Sequence, residues 1–156
     1  MDNSIHTYNV ETKQRGKIVH STIPYALAWG SHILAAGNDG KVAFYENSGD
    51  RFSTFDYSKE DKVKEFTCAA FNLTGETAVV GNFNRFYVYN FNQKRPCWDQ
   101  ICDKVIENYY SVTAVAWKSD GSQIGLGSLC GSVDVFDVCI KKSTKGKFEF
   151  TYVSLS

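Results

Sequence analysis

Three segments of the chain repeat the same order of apolar runs and turn residues. In each copy an alternating run ends in a large aromatic residue, a second apolar run ends in glycine, and a third run carries aromatic residues. The aromatic residues lie 42 and 46 residues apart, and the glycines lie 44 and 46 residues apart. Repeats of this length, with several short strands each, are typical of β-propeller blades. The repeat positions are Trp29, Phe71 and Trp117 for the aromatic residue and Gly37, Gly81 and Gly127 for the glycine.

The alternation within each copy indicates β-strands. A period of two with β-branched and aromatic residues is the pattern of a strand whose two faces meet different surroundings. Turn residues that include asparagine and glycine separate the runs, as at residues 72–75 and 118–121. Each copy therefore predicts a three-stranded antiparallel meander followed by a weakly marked fourth strand. The candidates for the fourth strand are residues 51–57, 97–101 and 148–153.

The chain as a whole is predicted to be all-β, a partial WD40-like β-propeller of about three and a half four-stranded antiparallel blades. Residues 1–21 contain the end of one blade, and further blades follow at 22–64, 65–109 and 110–156, the last of them truncated. Known propellers close with about four to eight blades, so this arc does not form a closed ring by itself. Because an apolar inter-blade face stays open at each end, we expect a piece of a longer protein.

Composition narrows the class of protein without indicating a ligand. The 156 residues are 43% hydrophobic and 15% aromatic, and 17 basic residues balance 17 acidic ones. A chain without net charge has no broad basic field for nucleic acid or for an acidic membrane. The first residues lack the pattern of a signal peptide, and no segment approaches the ~20 apolar residues of a membrane helix. We predict a soluble, intracellular protein that is not transmembrane and has reduced cysteines.

Several strings extend beyond the framework of the repeat. In collinear order from about residue 2 to residue 153, they resemble the amino-terminal WD40 region of the intraflagellar transport 172 family. In that family this region precedes a long helical repeat array, and the whole protein is a subunit of the intraflagellar transport B complex. The strings are Pro24-Tyr-Ala-Leu-Ala-Trp29, Ala35-Ala-Gly37, Phe55-Asp-Tyr-Ser58, Val115-Ala-Trp-Lys-Ser-Asp-Gly-Ser122, Gly127-Ser-Leu-Cys-Gly131 and Lys147-Phe-Glu-Phe-Thr-Tyr-Val153.

The resemblance implies a non-enzymatic protein–protein interaction scaffold that acts in cilium assembly and intraciliary transport. It implies other intraflagellar transport B subunits as partners, and a location in the cilium, its axoneme and basal body, otherwise in the cytoplasm. No contact residue is carried over, because no short binding or catalytic motif of the family occurs here. The chain also departs from the WD40 pattern. No copy carries the Trp–Asp or Gly–His pair, and only Asp137 could take the role of the usual aspartate.

No residue pattern matches a catalytic, cofactor or metal motif. The histidines His6, His20 and His32 have no nucleophile motif beside them, and we expect them at surface or strand-edge positions. The five cysteines lack the paired spacing of zinc sites. The glycines at residues 125–131 depart from a dinucleotide-binding turn by one residue, and a strand follows them. We therefore predict no enzyme activity, no small-molecule substrate, no cofactor and no metal.

The best local case for a ligand is an aromatic and basic strip at residues 82–95. Its candidate contact residues are Arg85, Tyr87, Lys94 and Arg95. Aromatic side chains beside basic groups bind single-stranded nucleic acid by stacking and by charge. The same alternation fits a turn and a strand of a blade, and the balanced net charge argues against a nucleic-acid partner. The alternative hypothesis is a cytosolic propeller that binds RNA or membrane lipid through this strip.

Overall fold

The computed structural model describes residues 2–145 and 148–156, and every regular element in these residues is a β-strand. Lys147, which belongs to the last of the strings above, lies outside the described residues. No helix of the length and apolar character needed to cross a membrane occurs in the described part of the chain. Strands β1 to β14 are, in order, Ser4–Tyr8, Arg15–Val19, Ala26–Trp29, Ile33–Ala36, Lys41–Tyr45, Arg51–Asp56, Cys68–Phe71, Thr77–Gly81, Arg85–Asn92, Cys97–Val105, Val112–Trp117, Gln123–Ser128, Val133–Lys145 and Phe148–Leu155.

The strands form four antiparallel sheets, and each sheet pairs strands that follow one another in the chain. We call them the half-sheet (β1–β2), the first sheet (β3–β6), the second sheet (β7–β10) and the third sheet (β11–β14). Strands β3, β7 and β11 lie side by side, as the inner strands of neighbouring propeller blades do. The prediction of an all-β, partial propeller with four-stranded antiparallel blades is confirmed. The blade boundaries at residues 22, 65 and 110 remain predictions.

The middle strands of the first and second sheets are covered on both faces. Every residue of β4 and of β8 is buried. In β4 the side chains divide by alternation between two neighbours. Leu34 and Ala36 pack toward the second sheet, whereas Ile33 and Ala35 pack toward the half-sheet. A strand covered on both sides is apolar throughout, which explains why these four positions carry no polar residue.

Within the described residues, three hydrophobic cores fill the spaces between neighbouring sheets. The core between the first and second sheets is rich in aromatic rings, and in it Phe44 stacks on Trp98 with ring centroids 4.3 Å apart. The arc is therefore held together by packing between sheets. The buried residues are Ile5, Ile18, Ile33, Ala35, Ala43 and Tyr45 beside the half-sheet; Ala26, Leu34, Ala36, Val42, Phe44, Tyr57, Phe66, Ala78, Val80, Tyr87, Tyr89 and Trp98 between the first and second sheets; and Val79, Phe86, Val88, Ile106, Tyr109, Val112, Ile124 and Leu126 between the second and third.

Both ends of the arc expose apolar side chains. At one end, Leu27 and Trp29 of β3 are 52% and 58% exposed, because the half-sheet packs against β4 and β5 but leaves β3 uncovered. At the other end, Val133 and Val135 of β13 are exposed, and glycines of β12 lie opposite them across the ladder. These are the open inter-blade faces that the repeat count predicts.

Two of the predicted hairpin turns have the backbone conformation that glycine provides. Gly75 and Gly121 both have φ of +73°, and the N–H of each donates to the carbonyl three residues earlier, at 3.0 and 2.8 Å. Residues with a Cβ rarely adopt this conformation. The turns therefore fix the register of β7 with β8 and of β11 with β12.

Candidate interaction surfaces

The loops that connect one sheet to the next all lie at the same ends of the strands, and we call the face of the arc that they form the loop face. It comprises the loops 57–67 and 106–111 and the turns 37–40, 82–84 and 129–132. Backbone hydrogen bonds tie the loops to the turns here. The Phe66 N–H donates to the Gly37 carbonyl at 3.0 Å, and the Leu129 N–H donates to the Ser111 carbonyl at 3.0 Å. These bonds order the loops without help from regular secondary structure.

A buried asparagine fixes the longest of these loops. The Asn82 side chain donates to the carbonyls of Lys64 and Glu65 at 2.7 and 3.1 Å, and it accepts the Lys64 N–H at 3.1 Å. A buried amide of this kind stabilises the structure because each of its polar atoms is paired. Sequence reasoning missed this role. The sequence feature that could have indicated it is the position of Asn82 directly after a repeat glycine. Asn38 has the same position in the first copy, and its side chain accepts a hydrogen bond from Thr22.

A cavity of about 570 Å³ opens on the loop face. Its volume lies in the range of pockets that bind small ligands, about 300–1,000 Å³. The Phe83 and Tyr110 rings meet edge to face on its wall, with centroids 5.0 Å apart, and Leu129 projects beside them into solvent. The loop 57–67 supplies a cation, Lys64, and an anion, Glu65, at the rim. The lining residues are Asn38, Val63, Lys64, Glu65, Phe83, Tyr110, Ser111 and Leu129.

The backbone around this cavity includes two non-glycine residues in the left-handed region. Asn108 and Ser111 have φ of +61° and +54°. Such conformations cost about 1–3 kcal/mol each and persist where the surrounding structure determines them. Their position in the loop 106–111 places them beside Tyr110, so the orientation of that exposed ring depends on a constrained segment.

The three repeat glycines meet different surroundings. A Cβ at Gly37 would clash with the Ile23 carbonyl oxygen, and a Cβ at Gly81 would lie 2.6 Å from Cys68 Sγ. At Gly127 the nearest atom would be Ala114 Cβ at 3.7 Å, an ordinary contact distance. The first two glycines therefore allow the close approach of a neighbouring chain segment, and the third lies in the open sheet.

The repeat aromatic residues and Asp137 also differ in burial. Phe71 and Trp117 are half-buried against the preceding sheet, whereas Trp29 lies on the open face. Asp137 is exposed and accepts a hydrogen bond from Gln123 Nε2 at 2.8 Å across the β12–β13 ladder. The hydrogen bond of Asp137 therefore lies on the surface of the third sheet, and other residues form the buried hydrogen bonds between sheets.

The strip at residues 82–95 is not brought together as one surface. Tyr87 is 2% exposed and packs against Tyr57 and Phe66 between the first and second sheets, so its ring has no face for a base. The Arg85 guanidinium forms an ion pair with Asp103 at 2.7 Å. Lys94 and Arg95 lie in the β9–β10 turn, at the opposite end of β9 from Arg85, which is about 25 Å for eight residues of strand.

The sequence predicts a surface or strand-edge position for His20, and the structure shows instead that His20 is buried. It is 2% exposed, and its Nδ1 lies 2.7 Å from the Tyr45 hydroxyl. Burial lowers the pKa of His20, with the nearby Asp39 carboxylate raising it and Arg51 lowering it. The neutral ring therefore joins the end of the half-sheet to the first sheet. The repeat predicts aromatic residues on β5, but no local pattern indicates the hydrogen-bond partner of Tyr45 25 residues away.

A pair of tyrosine hydroxyls joins the first sheet to the second. The hydroxyls of Tyr57 and Tyr89 lie 2.8 Å apart, and the Tyr57 hydroxyl also donates to the Gln100 side-chain oxygen. Burial raises the pKa of both tyrosines, well above the usual value for Tyr89. Both therefore stay neutral and serve as hydrogen-bonding groups between the sheets.

The cysteines differ in how their surroundings shift the thiol pKa. All five are free thiols. Hydrogen bonds from Ser128 and then Ser132 lower the pKa of the exposed Cys130 to about 6, whereas burial raises the pKa of Cys68 and Cys102. In the part of the chain that is described, no group of three or more His, Cys, Asp or Glu side chains is placed to hold a metal ion.

Known proteins match this chain along nearly all of its length. Intraflagellar transport protein 172 of Chlamydomonas reinhardtii is 48% identical over 163 residues, which cover 100% of this chain and 9% of that protein. The intraflagellar transport protein 172 homologs of Danio rerio and Homo sapiens are 46% and 44% identical over 147 residues, covering 92% of this chain and 8% of each of them. The chain thus spans less than a tenth of the length of these relatives. No family model matches it.

Proposed function

The chain is homologous to one segment of intraflagellar transport protein 172, and from this premise we propose that it forms part of a protein–protein interaction scaffold in intraflagellar transport. The observation that carries the proposal is the 48% identity along the whole chain to the algal protein. The proposal includes the intraflagellar transport B complex as the assembly and other subunits of it as the partners.

The loop face is the surface that we propose for these contacts. Its turns come from the first, second and third sheets, so a partner segment bound along it would contact all three of them. The exposed Tyr110 and Leu129 beside Phe83 supply apolar contact area, and Lys64 and Glu65 supply polar groups at the rim. Interfaces of this composition, with aromatic and aliphatic anchors inside a polar rim, are typical of protein–protein recognition.

The proposed role is non-enzymatic, and two of the three histidines, His20 and His32, support it by the contacts they make. His20 bonds to Tyr45 inside the arc. His32 packs against the rings of Phe52 and Phe91, with centroids 4.6 and 5.0 Å apart. Both rings are thus used in packing rather than set beside a nucleophile. With the scaffold role we propose a location in the cilium, including the axoneme and the basal body.

A chimaera tests this proposal. In algal cells that lack intraflagellar transport protein 172, the gene for that protein is returned with the matching 163-residue segment replaced by this chain. We expect the chimaera to enter flagella and to restore their assembly, measured as the fraction of flagellated cells and as flagellar length. A chimaera that accumulates to the level of the algal protein but leaves the cells without flagella contradicts the proposal.

A matched variant shows whether the segment itself is needed. The same chimaera carrying Leu34→Arg places a charge in the core between the first and second sheets, where Leu34 is fully buried. Burial of an unpaired charge is strongly destabilising. We expect this variant to fail in restoring flagella, and its success would mean that the fold of the segment contributes nothing to function.

A further inference from the structure

The cavity on the loop face has an aromatic wall that is open to solvent. The Phe83 and Tyr110 rings meet at an angle of 74° with centroids 5.0 Å apart, so the edge of one ring contacts the face of the other. Tyr110 is 58% exposed, which leaves ring surface free for a further contact. The face of an aromatic ring carries the negative part of its quadrupole and attracts cations. The wall of the cavity therefore favours a cationic group over an anionic one.

A carboxylate without a partner lies at the rim of the same cavity. Glu65 lines the cavity, and within the described residues its side chain forms no ion pair and no hydrogen bond. The backbone beneath it is held by Asn82, whose amide donates to the Glu65 carbonyl at 3.1 Å. Asp39, an acidic residue of the neighbouring turn, instead accepts a hydrogen bond from the Ser21 hydroxyl. Glu65 therefore presents free acceptor oxygens beside the aromatic wall.

The loop face as a whole carries an excess of negative charge. Its loops and turns contain five acidic and three basic residues, whereas the whole chain has 17 of each. At physiological ionic strength charges act over about 8 Å, so a group bound on this face responds mainly to the local excess. Complementary charge raises the association rate and selects the partner. The acidic residues are Asp39, Glu60, Asp61, Glu65 and Glu107, and the basic ones are Lys59, Lys62 and Lys64.

Contacts between a cation and an aromatic ring already occur within the described residues. Lys104 Nζ of β10 lies 4.6 Å from the centroid of the Phe136 ring, and Arg51 Cζ of β6 lies 5.8 Å from that of Tyr45. Both distances are within the ~6 Å over which such contacts are attractive. The first of them joins the second sheet to the third. No cation of the described residues lies over the Tyr110 ring in this way, so the ring is available to a cation from outside the chain.

We propose that the loop-face cavity binds an arginine side chain of a partner protein. The guanidinium lies on the Tyr110 ring and donates two N–H groups to the Glu65 carboxylate, and the apolar stem packs against Val63 and Leu129. Arginine fits better than lysine, because its planar guanidinium stacks on a ring and matches a carboxylate with two hydrogen bonds. The inference rests on the proposed scaffold function and names the side chain that the loop face recognises.

A single arginine derivative is the probe for this cavity. N-acetylarginine methylamide is titrated into the isotope-labelled full chain, and the amide resonances are followed by nuclear magnetic resonance. We expect the Glu65, Phe83 and Ser111 amides to shift, with a dissociation constant in the millimolar range that is typical of a ligand of this size. The matched control is the citrulline derivative, which has the same shape without the charge. It should bind at least about threefold more weakly, because it loses both the ion pair and the cation–ring contact.

Four variants distinguish the roles of single side chains. Glu65→Gln should weaken binding of the arginine derivative about threefold to tenfold, since a charge-assisted pair becomes a neutral hydrogen bond. Tyr110→Leu keeps apolar surface but removes the ring, and it should weaken binding about threefold. Lys64→Gln should tighten binding, since it removes a like charge from the rim. Glu107→Gln is the matched control, because Glu107 lies on the loop face without lining the cavity, and it should change binding less than about twofold.

Three results would overturn the inference. The first is equal binding of the arginine and citrulline derivatives, or no binding of either. The second is tighter binding of N-acetylglutamate methylamide, which would assign the cavity to an acidic side chain through Lys64. The third is equal weakening by Glu65→Gln and Glu107→Gln, because the net charge of the face would then be sufficient without a site at the cavity.

The chimaera separates a failure of this inference from a failure of the proposed function. In complexes isolated from flagella, Glu65→Gln should lower the recovery of other transport subunits at least about twofold, and Glu107→Gln should not. If Leu129→Asp lowers this recovery while Glu65→Gln leaves it unchanged, the loop face still binds partners but the arginine inference is wrong. If neither variant lowers it, the loop face itself is not the contact surface.

Discussion

Two leucines in neighbouring strands of the first sheet offer a direct measure of packing between sheets. Leu34 is 0% exposed and faces the second sheet, whereas Leu27 faces the open end and is half exposed. Replacement of leucine by alanine removes three carbon atoms. At about 0.8 kcal/mol for each buried CH₂ group, full burial corresponds to about 2.4 kcal/mol. The enclosed cavity at Leu34 raises the expected loss to about 3–4 kcal/mol.

For Leu27→Ala the expected loss of unfolding free energy is about 1 kcal/mol, because half of the side chain is in water and no enclosed cavity forms. Urea unfolding of the full chain, followed by far-ultraviolet circular dichroism, measures both values. With a slope of about 2 kcal/mol per molar urea, the midpoint falls by about 1.5–2 M for Leu34→Ala and by about 0.5 M for Leu27→Ala. Equal shifts for the two variants would refute the assignment of one face to a core and the other to solvent.

Three further predictions concern single positions. Gly81→Ala should lower the unfolding free energy by about 1–3 kcal/mol, because the added methyl group overpacks a close contact. Gly127→Ala, the equivalent change in the open sheet, should lower it far less. Similar losses for the two variants in urea unfolding would contradict the close contacts at Gly81. Iodoacetamide at pH 7 should modify Cys130 faster than Cys68, with a rate that rises through about pH 6, and preferential labelling of Cys68 contradicts this. His20 is buried, and its pKa is lowered, so below about pH 6.5 the unfolded state binds more protons than the folded state. The unfolding free energy should therefore fall by up to about 1.4 kcal/mol per pH unit as the pH drops below about 6.5. His20→Gln should remove this dependence, and an unchanged pH profile in the variant would contradict the prediction.

The repeat made the strands and their order predictable from sequence. Alternation and turn residues indicated β3 to β5, β7 to β9 and β11 to β13, and even the weakly marked fourth strands are present. The reason is physical. Inner strands of a blade meet neighbours on both faces, so selection for apolar residues at every position leaves a pattern that period and spacing reveal.

The contacts between sheets were less predictable, because they depend on which side chains the arc brings together. Tyr87 belongs to an alternation that fits both a buried strand and an exposed stacking strip, and only its place between two sheets distinguishes them. His20 bonds to a residue 25 positions away, and no local pattern encodes such a partner. The loop-face cavity likewise draws its walls from separate turns and loops, whose relative positions follow from the curvature of the arc.

Two exposed leucines, one on the loop face and one on the opposite face of the arc, provide the most direct test of the scaffold that we propose. Leu129 lies in a turn on the loop face, and Leu73 lies in the β7–β8 turn at the other end. Chimaeras carrying Leu129→Asp or Leu73→Asp are isolated from flagella, and the other transport subunits recovered with each are quantified. The account predicts that Leu129→Asp lowers this recovery severalfold while Leu73→Asp leaves it at the level of the unchanged chimaera. Equal recovery from both variants, or loss only with Leu73→Asp, would contradict it.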